Sequence, residues 1–312
     1  MNSIQFTDSV PGEDFIYDFE PWIFHHQDQL LLQSPTGWKD FYIVDVDRKM
    51  ILGHFPIHLL GEKATSPLRN PFGSIQYSSQ LNPLALDNFL DYVEAQLKKK
   101  KIKSLQLVNP PDEYQSSGSF GLHARFLKKG FHLKQTEISC MLPVNETALE
   151  EKIAQGERGK LKKGGKAGLE FREVVDKFKD CYDFISQCKA ERGYDSTLEW
   201  ELLDRSIKLF PGDYHFFEVT LRGERICSAV SVLINGKILF NFLLGHAKKF
   251  NFLSPAVFLF SGLYSFCRER KVQWIDMGTS TVKGETNVLL LDFKKRMGGI
   301  PSQKRTYFKL LE

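Results

Sequence analysis

Asp276-Met277-Gly278-Thr279-Ser280 and, a short way on, Leu291-Asp292-Phe293-Lys294-Lys295-Arg296-Met297-Gly298-Gly299 form the stretch on which the fold of this chain is decided. The first run reads as a strand that ends in a small polar turn. The second reads as a short amphipathic helix stopped by Gly298 and Gly299, because glycine readily takes the left-handed conformation that closes a helix. On a helix from about Asn287, Leu289, Leu290, Phe293 and Met297 share one face, and Lys294 and Lys295 are expected to point away from it. A strand end opening beside cations suits an anionic or carbonyl-bearing ligand. The same lysines equally suit a solvated helix end, where cations meet the negative pole of the helix dipole.

Outward from this segment, the chain runs twice through one plan. In the later pass, residues 214–220 and 226–234 read as strands around Arg222-Gly223-Glu224, and the turn Asn235-Gly236 leads into a third strand over 237–244. Pro255 opens a helix to about Arg270 that is apolar nearly all round, hence buried between layers, and too short to span a bilayer. A strand over 273–277 then delivers Asp276. In the earlier pass, 41–46 and 50–57 form a hairpin pattern, followed by a loop with Pro67, Asn70, Pro71 and Gly73 and a short strand near 75–77. Leu86, Phe89, Leu90, Val93 and Leu97 recur at helical spacing, and 104–108 is the closing strand.

Hairpin, strand, helix, strand, met twice, predicts a duplicated α/β chain with a mixed central sheet flanked by helices in each half. The division is placed so that residues 1–145 form one domain and 146–312 the other, with a helical insert over 146–212. Within the insert, Thr147-Ala148-Leu149-Glu150 and Ser196-Thr197-Leu198-Glu199 fit capping boxes. Phe178, Cys181, Ile185 and Cys188 share one helix face, and Leu198, Leu202 and Leu209 lie on one side of a second helix ended by Pro211-Gly212.

Bulk properties narrow the classes. The 312 residues are comfortable for two domains, and Lys+Arg exceed Asp+Glu by only 42 to 38, so a polyanionic partner is neither demanded nor excluded. The five Cys are odd in number, make no CxxC pair and sit mostly among apolar neighbours, so a reducing, cytoplasmic setting is expected. The first residues lack a basic and then apolar leader pattern, and no run of 18 apolar residues predicts a membrane span.

Asp276-x-Gly278-x-Ser280, then Gly284, then Phe293-Lys294 and Met297-Gly298-Gly299 resemble the closing motif of FemAB-like proteins, tandem members of the acyl-CoA N-acyltransferase (GNAT) superfamily. The glycine-rich basic segment from Arg158 to Phe171 resembles a second signature of that group, a basic helix ahead of the C-terminal domain. The resemblance implies two tandem GNAT-like domains, the first degenerate, and transfer of an acyl or aminoacyl group to an amine. No activated nucleophile is evident, so no covalent enzyme intermediate is expected. Lys294, at the family's Phe-Lys pair, would stabilise the oxyanion that develops on the donor carbonyl, with Phe293, Arg296 and Ser280 beside the substrate. Asp276 and Glu285 are carboxylates near the same strand end that could take the amine's proton, a local water serving equally well, and Asp276 serves alternatively as a structural partner for backbone or Ser280.

The chain departs from the wider superfamily at one place. Where CoA-dependent members carry a glycine-rich turn for the pyrophosphate, this sequence reads Gly245-His246-Ala247-Lys248-Lys249-Phe250-Asn251-Phe252-Leu253-Ser254-Pro255-Ala256. His246 is a candidate cleft residue or a structural histidine, and Lys248 and Lys249 are candidate phosphate contacts. The donor therefore stays open between acyl-CoA and aminoacyl-tRNA. The acceptor would be an amine on a cell-wall precursor, an amino sugar or another small or nucleotide-linked molecule. Arg158, Lys162 and Lys163 could track phosphates, or belong to a solvated linker that many glycines make pliable. No metal-ligand spacing, Walker loop or GxSxG motif is present. Two other readings remain: a noncatalytic scaffold that kept the fold, and an RNA- or nucleotide-binding module.

Overall fold

The computed structural model describes residues 3–115, 119–194, 198–282 and 284–311. Two compact units result, Met1–Glu137 with Ser302–Glu312, and Ile138–Pro301. The division differs from the one read in the sequence. Residues 302–312, placed there with the second domain, complete the first.

Unit 1 contains β1 (Ile4–Thr7), β2 (Ile16–Tyr17), α1 (Gln27–Gln33), β3 (Trp38–Asp45), β4 (Met50–Leu60), β5 (Lys63–Ser66), β6 (Gln76–Tyr77), α2 (Pro83–Lys99), β7 (Ser104–Val108), α3 (Ser119–Lys128) and the start of β8 (His132–Pro143). Strands β1, β3, β4 and β5 are antiparallel neighbours, and β5 runs parallel to β7 with Ala64 opposite Leu105. The crossover between β5 and β7 is α2, which Pro83 opens and Asn82 caps through Leu84 N at 2.8 Å. Its buried residues are Leu86, Phe89, Leu90, Val93 and Leu97, the face read from the spacing. They meet Phe41, Phe55, Ile57, Leu105 and Leu107 in the core.

Unit 2 takes up the rest of β8 and continues with α4 (Leu149–Lys152), α5 (Gln155–Lys166), β9 (Leu169–Val174), α6 (Phe178–Ala190), α7 (Trp200–Leu209), β10 (Tyr214–Leu221), β11 (Glu224–Asn235), β12 (Ile238–His246), α8 (Pro255–Glu269), β13 (Trp274–Thr279), β14 (Thr281–Val282), β15 (Glu285–Thr286), α9 (Val288–Arg296) and β16 (Ile300–Leu310), of which Ser302 onward belongs to unit 1. The strand order is β9-β10-β11-β12-β13-β8, and β12 and β13 are the parallel pair, joined by α8. Each unit thus has an edge strand, a three-stranded meander and a helical crossover to a parallel strand. The duplicated plan is real, and in unit 1 its third meander strand is β5.

Helix α8 packs between layers as its composition predicts, burying Val257, Leu259, Phe260, Leu263, Tyr264, Phe266 and Cys267. Gly262 makes room for a close neighbour, since a Cβ there would lie 2.2 Å from the ring of Phe171. All five cysteines are free and buried.

Several local expectations need correction. The first capping box does not form. Helix α4 starts after Ala148 with no side-chain cap, and Asn145 Oδ1 instead accepts from Thr147 N at 3.1 Å. Ser196 and Thr197 of the second lie outside the described residues, and Glu199 precedes α7 without a side-chain bond. Leu209 is 47% exposed, and α7 buries Leu203 and Ser206 instead. The segment read as one pliable basic element is a regular helix, α5, followed by strand β9.

Candidate functional site

Strands β12 and β13 pair only through Ile238–Phe240 against Trp274–Asp276. Beyond that point β12 runs on to His246 beside β11, and β13 runs on to Thr279 beside β8. The strands part where β12 also carries an irregularity, with Val230 opposite Leu243 but Ser231 opposite Asn241. Phe242 is the extra residue, and such bulges commonly re-aim side chains near active sites.

Lys294 stands at this opening. It is 4% exposed, and Nζ donates to Gly278 O at 2.7 Å and Thr279 O at 2.8 Å. Leu291 and Phe293 of α9 pack against the unit 2 core, Met297 just past its end is buried there, and Lys294 points inward with them, whereas Leu289, at 82% exposed, points outward. The sequence reading had these two reversed. The spacing of one turn admits either pair, and the two carbonyls at the end of β13 favour the one that brings an ammonium. Burial pushes the lysine pKa down to about 8, against the opposing pull of Asp276. An ammonium has three donors, so two bonds to carbonyls leave one N–H over.

Three buried side-chain oxygens near this point have no partner among the described residues: Ser231 Oγ, Asn241 Oδ1 and Ser280 Oγ. Ser231 and Asn241 are cross-strand neighbours, and Asn241 O lies 3.8 Å from where Gly278 would carry a Cβ. Asp276 is 2% exposed, and its Oδ1 accepts from Ser139 Oγ at 3.0 Å and Gly278 N at 2.8 Å. These contacts make it a brace for the turn that presents the Lys294 acceptors. Glu285 is exposed on β15. Phe293 is half-buried with its ring 6.3 Å from Phe260.

Two further segments frame the site. Arg296 is half-exposed, and its Nε donates to Glu157 Oε1 at 2.9 Å while its carbonyl accepts from Ala154 N at 2.8 Å. Glu157 is 1% exposed and also takes Lys160, so a buried carboxylate ties the end of α9 to the start of α5. Arg158 serves structure, donating to Glu150 O and Ile153 O. Lys162 and Lys163 are exposed on α5, Lys163 reaching Phe252 O at 2.9 Å.

Past the end of β12, a short 3-10 turn, Lys248–Leu253, leads into α8. A cavity of about 420 Å3 opens beside it, lined in part by Cys188, Glu191, Glu224, Arg225, Lys248 and Lys249. Lys249 pairs with Glu224 at 2.7 Å, Lys248 reaches Glu191 O, and Arg225 Nε holds buried Glu218 at 2.6 Å. His246 is half-buried, its pKa lowered by burial and by Arg192. The lysines of this turn are therefore brought together with Arg225, which the sequence reading missed because it lies in a distant hairpin. Glu157, Ser231 and Asn241 were missed too. Only a carboxylate or amide predicted to face a core would have signalled them.

Residues 152–295 match the family profile described as an acetyltransferase (GNAT) domain. The chain superposes on a crystal structure of FemX with a TM-score of 0.70 at 14% identity, covering 93% of each chain. The fold is that of the FemAB-like tandem GNAT proteins. The chain also resembles a tandem GNAT protein from the clavulanic acid biosynthesis pathway, with a TM-score of 0.52 at 9% identity over 88% of this chain and 83% of that one. L-PGS from Bacillus licheniformis gives 0.56 at 12% identity, over 92% and 87%. A comparison with curated protein sequences finds no match. Among the described residues, no group of three or more His, Cys, Asp or Glu could hold a metal ion, and no helix is long and apolar enough to cross a membrane.

Proposed function

We propose that unit 2 is an acyl- or aminoacyltransferase that forms an amide on an amine, with its reacting centre where β12 and β13 part. The observation that carries this reading is Lys294, a buried ammonium fixed by Gly278 O and Thr279 O with one donor to spare. A preorganised donor of this kind stabilises the oxyanion that forms when an amine attacks an ester or thioester carbonyl. The donor carbon bonds to the amine nitrogen, the tetrahedral oxyanion collapses, and the alcohol or thiol leaves with a proton that the amine gives up. Asp276 is held in the turn and Glu285 is exposed, so neither is well placed as the base, and water fills that role.

Ser231, Asn241 and Ser280 favour a donor whose acyl part carries hydrogen-bonding groups, because a plain acetyl group would leave these oxygens buried and unmet at about 1–3 kcal/mol each. Lys248, Lys249 and Arg225 suit the phosphates of such a donor, whether charged tRNA or a CoA ester. Unit 1 serves as a noncatalytic partner domain, and the acceptor is a small or nucleotide-linked amine such as a cell-wall precursor or amino sugar. Thermal shift with CoA esters, charged tRNA and uridine-nucleotide sugars tests the reading. A true donor at 100-fold over its Kd adds about 2.7 kcal/mol. Absence of any shift and of any transfer to hydroxylamine as a surrogate acceptor would favour a noncatalytic scaffold.

A further inference from the structure

Unit 1 has a second interior, on the face of β4 opposite its α2-packed core. Phe55 and Ile57 enter that core, and by strand alternation His54 and His58 face the other way. Residues 16–37 cover them. Strand β2 pairs with β4 through Ile16 opposite Met50 and Tyr17 opposite Ile51, a 3-10 turn Ile23–His25 follows, and α1 closes the segment.

This cover buries Trp22, Ile23, Phe24 and Leu30 and is pinned by polar and aromatic contacts as well. Trp22 N donates to Gln76 Oε1 at 2.9 Å, and Gln76 Nε2 donates to Glu20 O at 2.8 Å. Gln33 Oε1 accepts from Arg69 N at 2.7 Å and Asn70 N at 3.1 Å, which ties α1 to the loop over 67–73. At the centre is His25, 3% exposed, its ring 5.0 Å from Trp22 and 5.5 Å from His54. Among the described residues, neither of its ring nitrogens has a hydrogen-bond partner, and Trp22 Nε1 has none either. A neutral imidazole can sit in such a place at modest cost, but a cation cannot.

Among the described residues, the groups around His25 offer a proton no compensation. His54 Nε2 is engaged with Asp40 Oδ1 at 2.7 Å, so the carboxylate is spoken for by the intervening ring. Tyr42 from β3 stacks on His54 at 4.6 Å, and Tyr17 from β2 stands 6.1 Å from it. Asp18 is held by Ser78, and the ring of Tyr114 stands 4.9 Å from Phe72 and 6.1 Å from Trp22. His58 is the other histidine under the cover, with one nitrogen 3.1 Å from Thr36 O. Burial first, and His54 second, hold His25 well below the ordinary histidine range.

We propose that residues 16–37 are an acid-released strap: neutral His25 latches the segment onto β4, and proton uptake by His25 detaches it and frees the 67–73 loop with it. A released imidazole titrates near pH 6.5, whereas the latched one stays neutral at lower pH. The open-to-closed ratio therefore rises as pH falls, by about tenfold per unit below that value and about 30-fold between pH 7.5 and 5.0.

Hydrogen exchange across that range, corrected for the intrinsic rate, tests this on the whole chain. Amides of 16–37 and 67–74 are expected to lose about 30-fold in protection while those of α2 hold steady, and His25→Phe is expected to abolish the slope. A wild-type strap with no pH dependence overturns the proposal. An unchanged slope in His25→Phe does so as well, and moves the latch to His54 or His58. Should His25→Phe fail to fold, His54→Phe and His58→Phe, which keep His25, decide. A pH slope of strap exchange kept in both supports the latch at His25, and a slope lost in either overturns it.

Discussion

Replacing Lys294 by Met removes the ammonium and keeps most of the volume. Its cost to stability can be worked from opposing terms. The fall in pKa from 10.5 to about 8 corresponds to about 3 kcal/mol spent on burying the charge. Against this stand two charge-assisted bonds, to Gly278 O and Thr279 O, at about 1.5–3 kcal/mol each. The variant sheds the burial cost, loses both bonds and leaves two carbonyls unmet. These nearly cancel, so the change in unfolding free energy is expected to stay within about 2 kcal/mol. Loss of an oxyanion donor, by contrast, costs about 100- to 1,000-fold in turnover.

The pH dependence supplies an independent check. The folded chain releases this proton near pH 8 and the unfolded chain near 10.5. Between these values the unfolded state binds more protons, so the contribution of Lys294 to stability rises with pH over that window. Turnover moves the opposite way, because the ammonium is the stronger donor, and is expected to fall as pH rises through about 8. Denaturant unfolding and transfer to hydroxylamine, each from pH 6.5 to 9.5, separate the two effects. Turnover within twofold of wild type in folded Lys294→Met, or a wild-type rate level to pH 9.5, would refute the assignment.

Gly262→Ala is expected to destabilise unit 2 by about 1–3 kcal/mol through its clash with the Phe171 ring, seen as a lower Tm that Phe171→Leu partly restores. Glu157 and Glu218 are buried carboxylates; burial raises their pKa values, but bonds from Lys160 and Arg296, and from Arg225 and Arg172, bring both below the ordinary range. The stability they supply is whole above that range and is lost as pH falls through their lowered values, so acid unfolding of Glu157→Gln should be shallower than that of wild type. Lys248→Ala with Lys249→Ala is expected to weaken a phosphate-bearing donor and flatten the salt dependence of its binding, measured by titration at 50 and 200 mM salt.

Much of this architecture was legible because its signals were local and strong. The spacing of Leu86 to Leu97 named the buried face of α2, and Asn235-Gly236 named the β11–β12 hairpin. Strand β5 escaped because Lys63-Ala64-Thr65-Ser66 has four residues and almost no apolar alternation; its place is set by pairing with β4 and β7. The candidate site was legible as a region and not as an arrangement. Periodicity cannot tell that a lysine belongs inside a helix interface, because the carbonyls that draw it there lie on another element. The same limit hid Glu157, Arg225 and Asn241, whose partners are remote in sequence.

The return of residues 302–312 to unit 1 has a consequence for biosynthesis. Tyr307 and Leu311 lie in the unit 1 core, and β7 pairs with β16 through Leu107 opposite Tyr307. The first unit to leave the ribosome therefore lacks its last strand until the whole of unit 2 has been translated. Domains usually finish in the order of synthesis; here the order is inverted, with the nascent first unit waiting, β7 unpaired on that side, for a strand encoded after the whole of unit 2.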